Sequence, residues 1–361
     1  MLPAEVRFAM LLKPYLEMMV AQRASDLYLS PGSLPQLRLE GRNRPIGRMP
    51  LSADEVARAV DESFDERERN QFRQRWQVDY SYIMPEVGRF RFTAFRQRGQ
   101  VALVVRYVQP ALPRIRDLEL PLILQDLALL RQGLILVVGS TGCGKSTTLA
   151  ATLQHRNEHV PGHILTIEDP IEFFLESRKS VVNQRELGVD AIDYASALRS
   201  ALRAAPDVIM VGEIRDMETL AATVELAGTG HLVMATLHAN NAPQTLDRIA
   251  NLYPATQHAQ LFLDLSLYLR AIISQRLVMG RHGHRLPAVE VMLNTPYIAE
   301  LIAKGQFDKI KAAMEDSKVR GMQDMDSVLY RLYREELIDK DEALAHADSQ
   351  PNLEAKIHFS S

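Results

Sequence analysis

Apolar positions come in two textures along the chain. In the later part they gather in short, mostly apolar runs. Leu134 to Val138 is the clearest, and similar runs cover residues 163–167, 207–211 and 231–236. Each is too short for a helix and is followed by polar residues and then by helix-suited sequence. Repeated, this predicts strands alternating with helices around a mostly parallel sheet. The alternation extends to about Val291. From Ile298 onward the spacing is helical, with Gly305 and Gly321 as stops and Asp341 opening a late helix.

The earlier part alternates instead. Val6 to Val20 has helical spacing, and Leu27-Tyr-Leu29 and Gln36 to Leu39 read as strands around the turn Pro31-Gly32. Ser52 followed by Glu55 is a capping box, predicting a helix to about Arg73. Phe90 to Phe95 and Val101 to Val108 alternate, and Arg98-Gly99 between them predicts a hairpin. This predicts a small α+β domain over residues 1–110. Pro110 to Leu120, with two prolines and mixed charge, reads as a linker at 111–120. A second domain over 121–361 follows, helical from about 296.

Composition narrows the class. The chain has 361 residues, 47% hydrophobic and 24% charged, ample for two packed cores. A net charge of −3 gives no whole-chain reason to expect nucleic acid as a partner, although Arg89 to Arg106 holds five arginines and no acid. One cysteine excludes an intramolecular disulfide and a cysteine-based zinc site, and fits a reducing cytosol. No apolar run approaches the ~20 residues of a membrane span. The early Glu5 and the lack of a small-residue cleavage pattern argue against a signal peptide. Contact with a membrane would go through a partner, with no direct insertion.

The chemistry starts at the end of the first run. Gly139, Ser140, Thr141, Gly142, Cys143, Gly144, Lys145 and Ser146, followed by Thr147, match G-x-x-x-x-G-K-[ST] between a strand and a helix. A polyanion must sit against bare backbone, so glycines let successive N–H groups converge on phosphate oxygens. Lys145 then reaches the β- and γ-phosphates, Ser146 holds Mg²⁺, and the helix N-terminus adds attraction. Cys143 reads as a small residue in a tight turn rather than a redox site. The pattern predicts ATP, with Mg²⁺, as the ligand.

Three further groups follow later runs. Glu168-Asp169-Pro170-Ile171-Glu172 places three acids where metal and water are positioned. Val208 to Val211 leads into Gly212-Glu213, where a Walker B strand normally ends in Asp; Glu213 either polarises the attacking water or supports Mg²⁺. His231 and His238 flank the last run and are placed to sense the γ-phosphate.

Together these motifs resemble the secretion and type IV pilus ATPase superfamily over nearly the whole chain. Glu168 to Glu172 resembles its Asp box, Pro206 to Asp216 its Walker B segment, and Thr229 to His231 with Leu237-His238 its His box. Ala24 to Leu27, Gly88 to Arg91 and Ala94-Phe95 resemble its PAS-like N-terminal domain. The resemblance implies an α/β fold with a RecA-like P-loop ATPase core, a PAS-like front and a helical C-terminal region. The length matches the retraction branch. The single cysteine excludes the tetracysteine zinc module common in the extension and type II secretion branches. Within the retraction branch, Arg203 to Asp207, Thr236 to Ala242 and His346 to Ser349 are similar to the PilU group, with the PilT group the runner-up.

The resemblance further implies a homohexamer with nucleotide between subunits, powering pilus retraction beside a PilT-like partner. It places such a ring in the cytoplasm, held peripherally at the inner membrane by the pilus platform protein. In such rings arginines meet the transferring phosphoryl group, and Arg89, Arg91, Arg106, Arg203 and Arg215 are the candidates. Glu168, Glu213, His231 and His238 are the catalytic candidates, with Ser146, Glu168 and Glu213 around the metal. The rival readings are a RecA-like nucleic-acid translocase, an accessory subunit with weak turnover, and the extension motor.

Overall fold

The structure, a computed structural model, describes residues 11–39, 41–85, 87–108 and 112–359. It divides into two compact units between residues 111 and 112. Residues 6–10 of the first expected helix and 109–111 at the start of the expected linker lie outside the described residues; the helix is described over Lys13–Ala21.

In the N-terminal unit six antiparallel strands lie in the order β3-β2-β1-β6-β5-β4. These are β1 (Asp26–Leu29), β2 (Gln36–Leu39), β3 (Arg42–Pro45), β4 (Gln77–Met84), β5 (Gly88–Gln97) and β6 (Gln100–Val108). The β5–β6 hairpin turns on Arg98 and Gly99, both at positive φ (48° and 77°), as a two-residue loop matching strand twist requires. Alternation puts Phe90, Phe92, Leu103 and Val105 inside, against Val56 and Val60 of the helix Ala53–Ser63.

The helix expected from Ser52 to Arg73 is two helices, Ala53–Ser63 and Glu66–Arg75. Asp65 and Glu68 form a second capping box, and Phe64 leaves the helical conformation (ψ 137°). Its ring then packs 5.3 Å from Phe72 and 5.4 Å from Tyr80. Core packing of one aromatic outweighs continuity of the helix.

The second unit holds a seven-stranded sheet in the order β13-β12-β7-β11-β10-β8-β9. Its strands are β7 (Gly133–Val138), β8 (Gly162–Glu168), β9 (Ser180–Glu186), β10 (Val208–Val211), β11 (Leu232–Leu237), β12 (Leu269–Met279) and β13 (Arg285–Leu293). All neighbours pair in parallel except β12 with β13. The unbroken run of β7 has its reason here: Leu134, Leu136 and Val138 face one core, and Ile135 and Val137 face another.

Three strands were not among the four expected. β9 carries polar residues along an edge, and β12 and β13 close the opposite side as a hairpin. The expected linker is partly core: Ile115 and Leu120, 2% and 4% exposed, pack beneath the sheet with Leu124. The helical region is two assemblies. Helices Pro296–Ala303 and Ile310–Glu315 join the main core, whereas Met325–Arg334 and those after it pack on Val278, Leu286 and Ala288 of the β12–β13 hairpin. Among the described residues no helix is long and apolar enough to cross a membrane.

Candidate nucleotide site

Parallel strands deliver the expected chemistry to one edge of the sheet. β7 runs into Gly139–Gly144, β8 ends at Glu168, β10 runs into Gly212-Glu213 and β11 into His238. Lys145, Glu168, Glu213, Arg215 and His238 line one cleft of roughly 480 Å³, with Thr141, Gly142, Gly144, Ser146 and Thr147 along its P-loop wall. The carboxyl edge of such a sheet is where ligands sit.

The P-loop wall is built for an anion. Gly144 has φ 92°, and a Cβ there would lie 2.8 Å from Nε2 of Gln275. The helix Lys145–His159 starts directly after it with no acid in its first turn, so its positive end is uncompensated. The Lys145 ammonium donates to the carbonyls of Gly139 and Ser140, 2.9 Å each, held above the loop. Ser146 and Thr147 are half-buried on the first turn, and Ser140 is exposed.

The facing wall is acidic. Glu168 is buried; its Oε1 accepts from the Thr166 hydroxyl at 2.6 Å and from Gln184 Nε2 at 2.9 Å. Burial pushes its pKa up, and those donors counter the rise. Glu213 is clamped between His238 and Arg215. His238 Nε2 lies 2.9 Å from one oxygen, and Arg215 Nε and Nη2 reach the other at 2.7 and 2.6 Å. Arg215 also lies 3.5 Å from Asp169. Among the described residues no His, Cys, Asp or Glu cluster is arranged to hold a metal ion unaided. Mg²⁺ takes a few carboxylates or hydroxyls together with substrate phosphates. Ser146 on one wall and Glu168 and Glu213 on the other are oxygen donors of that kind.

Other expected residues lie elsewhere. His231 precedes β11 at its Gly133 end, where its Nδ1 lies 3.1 Å from the Leu226 carbonyl oxygen, which can only accept. A strand of this length puts it about 20 Å from His238. This chain's own cleft therefore holds one of the two histidines, correcting the expectation that both sense its γ-phosphate. Arg203 is exposed in the turn Leu202–Ala204 and does not line the cleft. Arg89, Arg91 and Arg106 share the outer face of β5 and β6 in the N-terminal unit, Arg91 directly opposite Arg106. Arg106 donates to the buried Asp26 at 2.9 Å, and Arg91 lies 4.0 Å from Asp79. Cys143 is buried, which pushes its thiol pKa up and makes it a packing residue.

Sequence reading missed Gln275. Its Nε2 donates to the Cys143 carbonyl at 2.8 Å, and its Oε1 accepts from the Thr148 hydroxyl at 2.6 Å. From β12 it fixes both the P-loop and the helix that follows. The signal was available, two polar residues in the apolar strand Ile272-Ile-Ser-Gln275.

Comparisons with known proteins bear on the family and the fold. The family model for type II/IV secretion system proteins matches residues 113–313. The chain belongs to that family. Over 96% of its length it is 43% identical to the type IV pilus ATPase PilU of Pseudomonas aeruginosa, covering 91% of that protein. It is 39% identical to the type IV pilus retraction ATPase PilT of the same organism, over 92% of this chain and 96% of that one. A crystal structure of the pilus retraction motor PilT with bound ADP superposes with a TM-score of 0.89 at 38% identity, covering 96% of this chain and 99% of that one.

Proposed function

We propose that this chain is a PilU-like subunit of a homohexameric motor that hydrolyses ATP with Mg²⁺ and powers type IV pilus retraction. The observation that carries the reading is the single cleft joining Lys145 at an uncompensated helix N-terminus to Glu213 held by His238 and Arg215. Family membership makes the chain a P-loop ATPase. The PilU and PilT relatives, matched over more than nine-tenths of each chain, support the pilus assignment. The 43% identity to PilU against 39% to PilT supports the PilU-like branch, in which the subunit works beside a PilT-like ATPase. The same reading places the ring in the cytoplasm, bound to the inner membrane only through the pilus platform protein.

In this mechanism the Lys145 ammonium exchanges two loop carbonyls for phosphate oxygens. Mg²⁺, when bound, neutralises charge on the β- and γ-phosphates. Glu213, oriented by the His238 imidazole, positions and polarises the attacking water. Glu168, held by Thr166 and Gln184, would be an oxygen donor on the wall facing Ser146. An arginine from Arg89, Arg91, Arg106, Arg203 or Arg215 meets the phosphoryl charge. Loss of the γ-phosphate then releases contacts that close neighbouring parts of the ring.

The test is Mg²⁺-dependent ATP turnover with the oligomeric mass measured in the same nucleotide. A hexamer whose turnover disappears in Lys145→Ala is the expected result. A nucleotide-saturated monomer, or wild-type turnover in Lys145→Ala, overturns the reading.

A further inference from the structure

Tyr194 is a residue of the site that no motif predicts. It opens the helix Tyr194–Ala201, capped by Asp193, and is 8% exposed within the main core. Its ring lines the same cleft as Lys145 and Glu213, yet its hydroxyl is fully buried and has no hydrogen-bond partner among the described residues. An orphan hydroxyl of that kind costs roughly a tenfold shift in the folding equilibrium and calls for a reason.

The hydroxyl's surroundings supply one. It lies against Gly212, where a Cβ would come within 2.7 Å of the oxygen, so the glycine in the Walker B segment is what admits it. Burial, together with the charges of Asp169, Glu213 and Glu168, drives its pKa up, and Arg215 opposes them. The group is thus a neutral phenol, able to donate a hydrogen bond, with the charges of three carboxylates acting on it. Those carboxylates are already served. Arg215 holds Glu213 with two nitrogens and lies 3.5 Å from Asp169. The Arg215 side chain is 59% exposed, free to turn toward a polyanion in the cleft, whereas Tyr194 is fixed in the core.

We propose that Tyr194 is a positioning residue that takes over from Arg215. When the guanidinium leaves Glu213 and Asp169 for a phosphate, the phenol donates to the freed carboxylate and keeps it aimed. This inference rests on the hydrolysis reading and adds a donor held in reserve. No proton is transferred and no bond other than hydrogen bonds changes.

The test compares wild type with Tyr194→Phe, which keeps the ring and removes only the oxygen. Without nucleotide, the variant is expected to unfold at the same or a higher urea concentration, since it loses an unsatisfied group. With saturating Mg²⁺–ATP, kcat is expected to fall about tenfold while KM changes less than twofold, the effect of one hydrogen bond to a charged group. Unchanged kcat overturns the proposal, as does a variant that loses stability along with rate, because the hydroxyl then serves the resting fold. Lys145→Ala is run alongside. A wild type no faster than Lys145→Ala would sink the hydrolysis reading itself, whereas normal turnover in Tyr194→Phe sinks the reserve donor alone.

Discussion

Gln275 shows what a single residue contributes across the fold. It joins Thr148 and the Cys143 carbonyl over more than a hundred residues of chain, and all three groups are buried. Gln275→Ala leaves a donor and an acceptor unpaired, at a cost of about 1–3 kcal/mol. We predict a lower urea midpoint and a higher KM for ATP, with kcat less affected; a normal KM would separate Gln275 from phosphate binding. Glu213→Gln keeps the shape of the clamp and removes the base, so we predict a kcat loss of about 10²–10³-fold in steady-state assays. Retention of more than a tenth of the activity would remove Glu213 from water activation. The two residues differ in legibility. Lys145 and Glu213 could be read because their chemistry lies in local spacing, a glycine loop or the end of an apolar strand. Gln275, Gln184 and Tyr194 act through contacts made only when distant strands meet, and their types alone do not announce it.

The β12–β13 hairpin makes the same point for an element. Its strands escaped the expected pattern because polar residues interrupt them, and those residues are where the hairpin works. Glu290, wholly buried on β13, accepts from the Ala242 N–H at 2.8 Å and from the Ser274 hydroxyl at 2.9 Å. It thereby anchors the helix Ala242–Asn251, which begins just beyond His238. Beside it Arg276 pairs with Asp348, and Asn241 donates to Asp348 at 3.1 Å, tying the C-terminal segment to the loop after β11. Burial first, and the Asp348 charge second, push the Glu290 pKa up to about 7; its two donors and Arg276 resist. The native state therefore holds a proton that the unfolded chain releases near pH 4.5. Stability contributed by the neutral acid is lost as pH rises from about 4.5 to about 7, by roughly 3 kcal/mol, and is constant above. Glu290→Gln accepts the same two hydrogen bonds without titrating. We predict that the variant gains stability relative to wild type between pH 5 and pH 7.5 in urea unfolding. A difference that stays constant over that range would show that Glu290 is ionised throughout.

At the scale of the whole molecule, the outward arginines of β5 and β6 pose the question of assembly. An isolated arginine on an exposed face needs no explanation beyond solubility. Here Arg91 stands opposite Arg106, Arg89 shares their face, and one of the three is steadied by a buried aspartate. Like charges directly opposite are unfavourable, and Asp26 and Asp79 offset only part of this cluster's charge, so it still favours a further anion. In the proposed ring that anion is nucleotide in a cleft to which a neighbouring subunit contributes. If so, the damage done by losing these arginines is separable from the damage done by losing Lys145. A variant with Arg89, Arg91 and Arg106 all changed to Gln keeps its P-loop, and Lys145→Ala keeps its arginines. Each assembled alone has no complete site. Mixed in equal amounts and allowed to exchange, they pair an intact P-loop with intact arginines at about one interface in four, by random placement in a closed ring. We predict that the mixture recovers ATP turnover in about that proportion, read as a rise over both parents at constant total protein. If the arginines act on their own subunit's nucleotide, no arrangement restores a site and the mixture stays at the level of its parents.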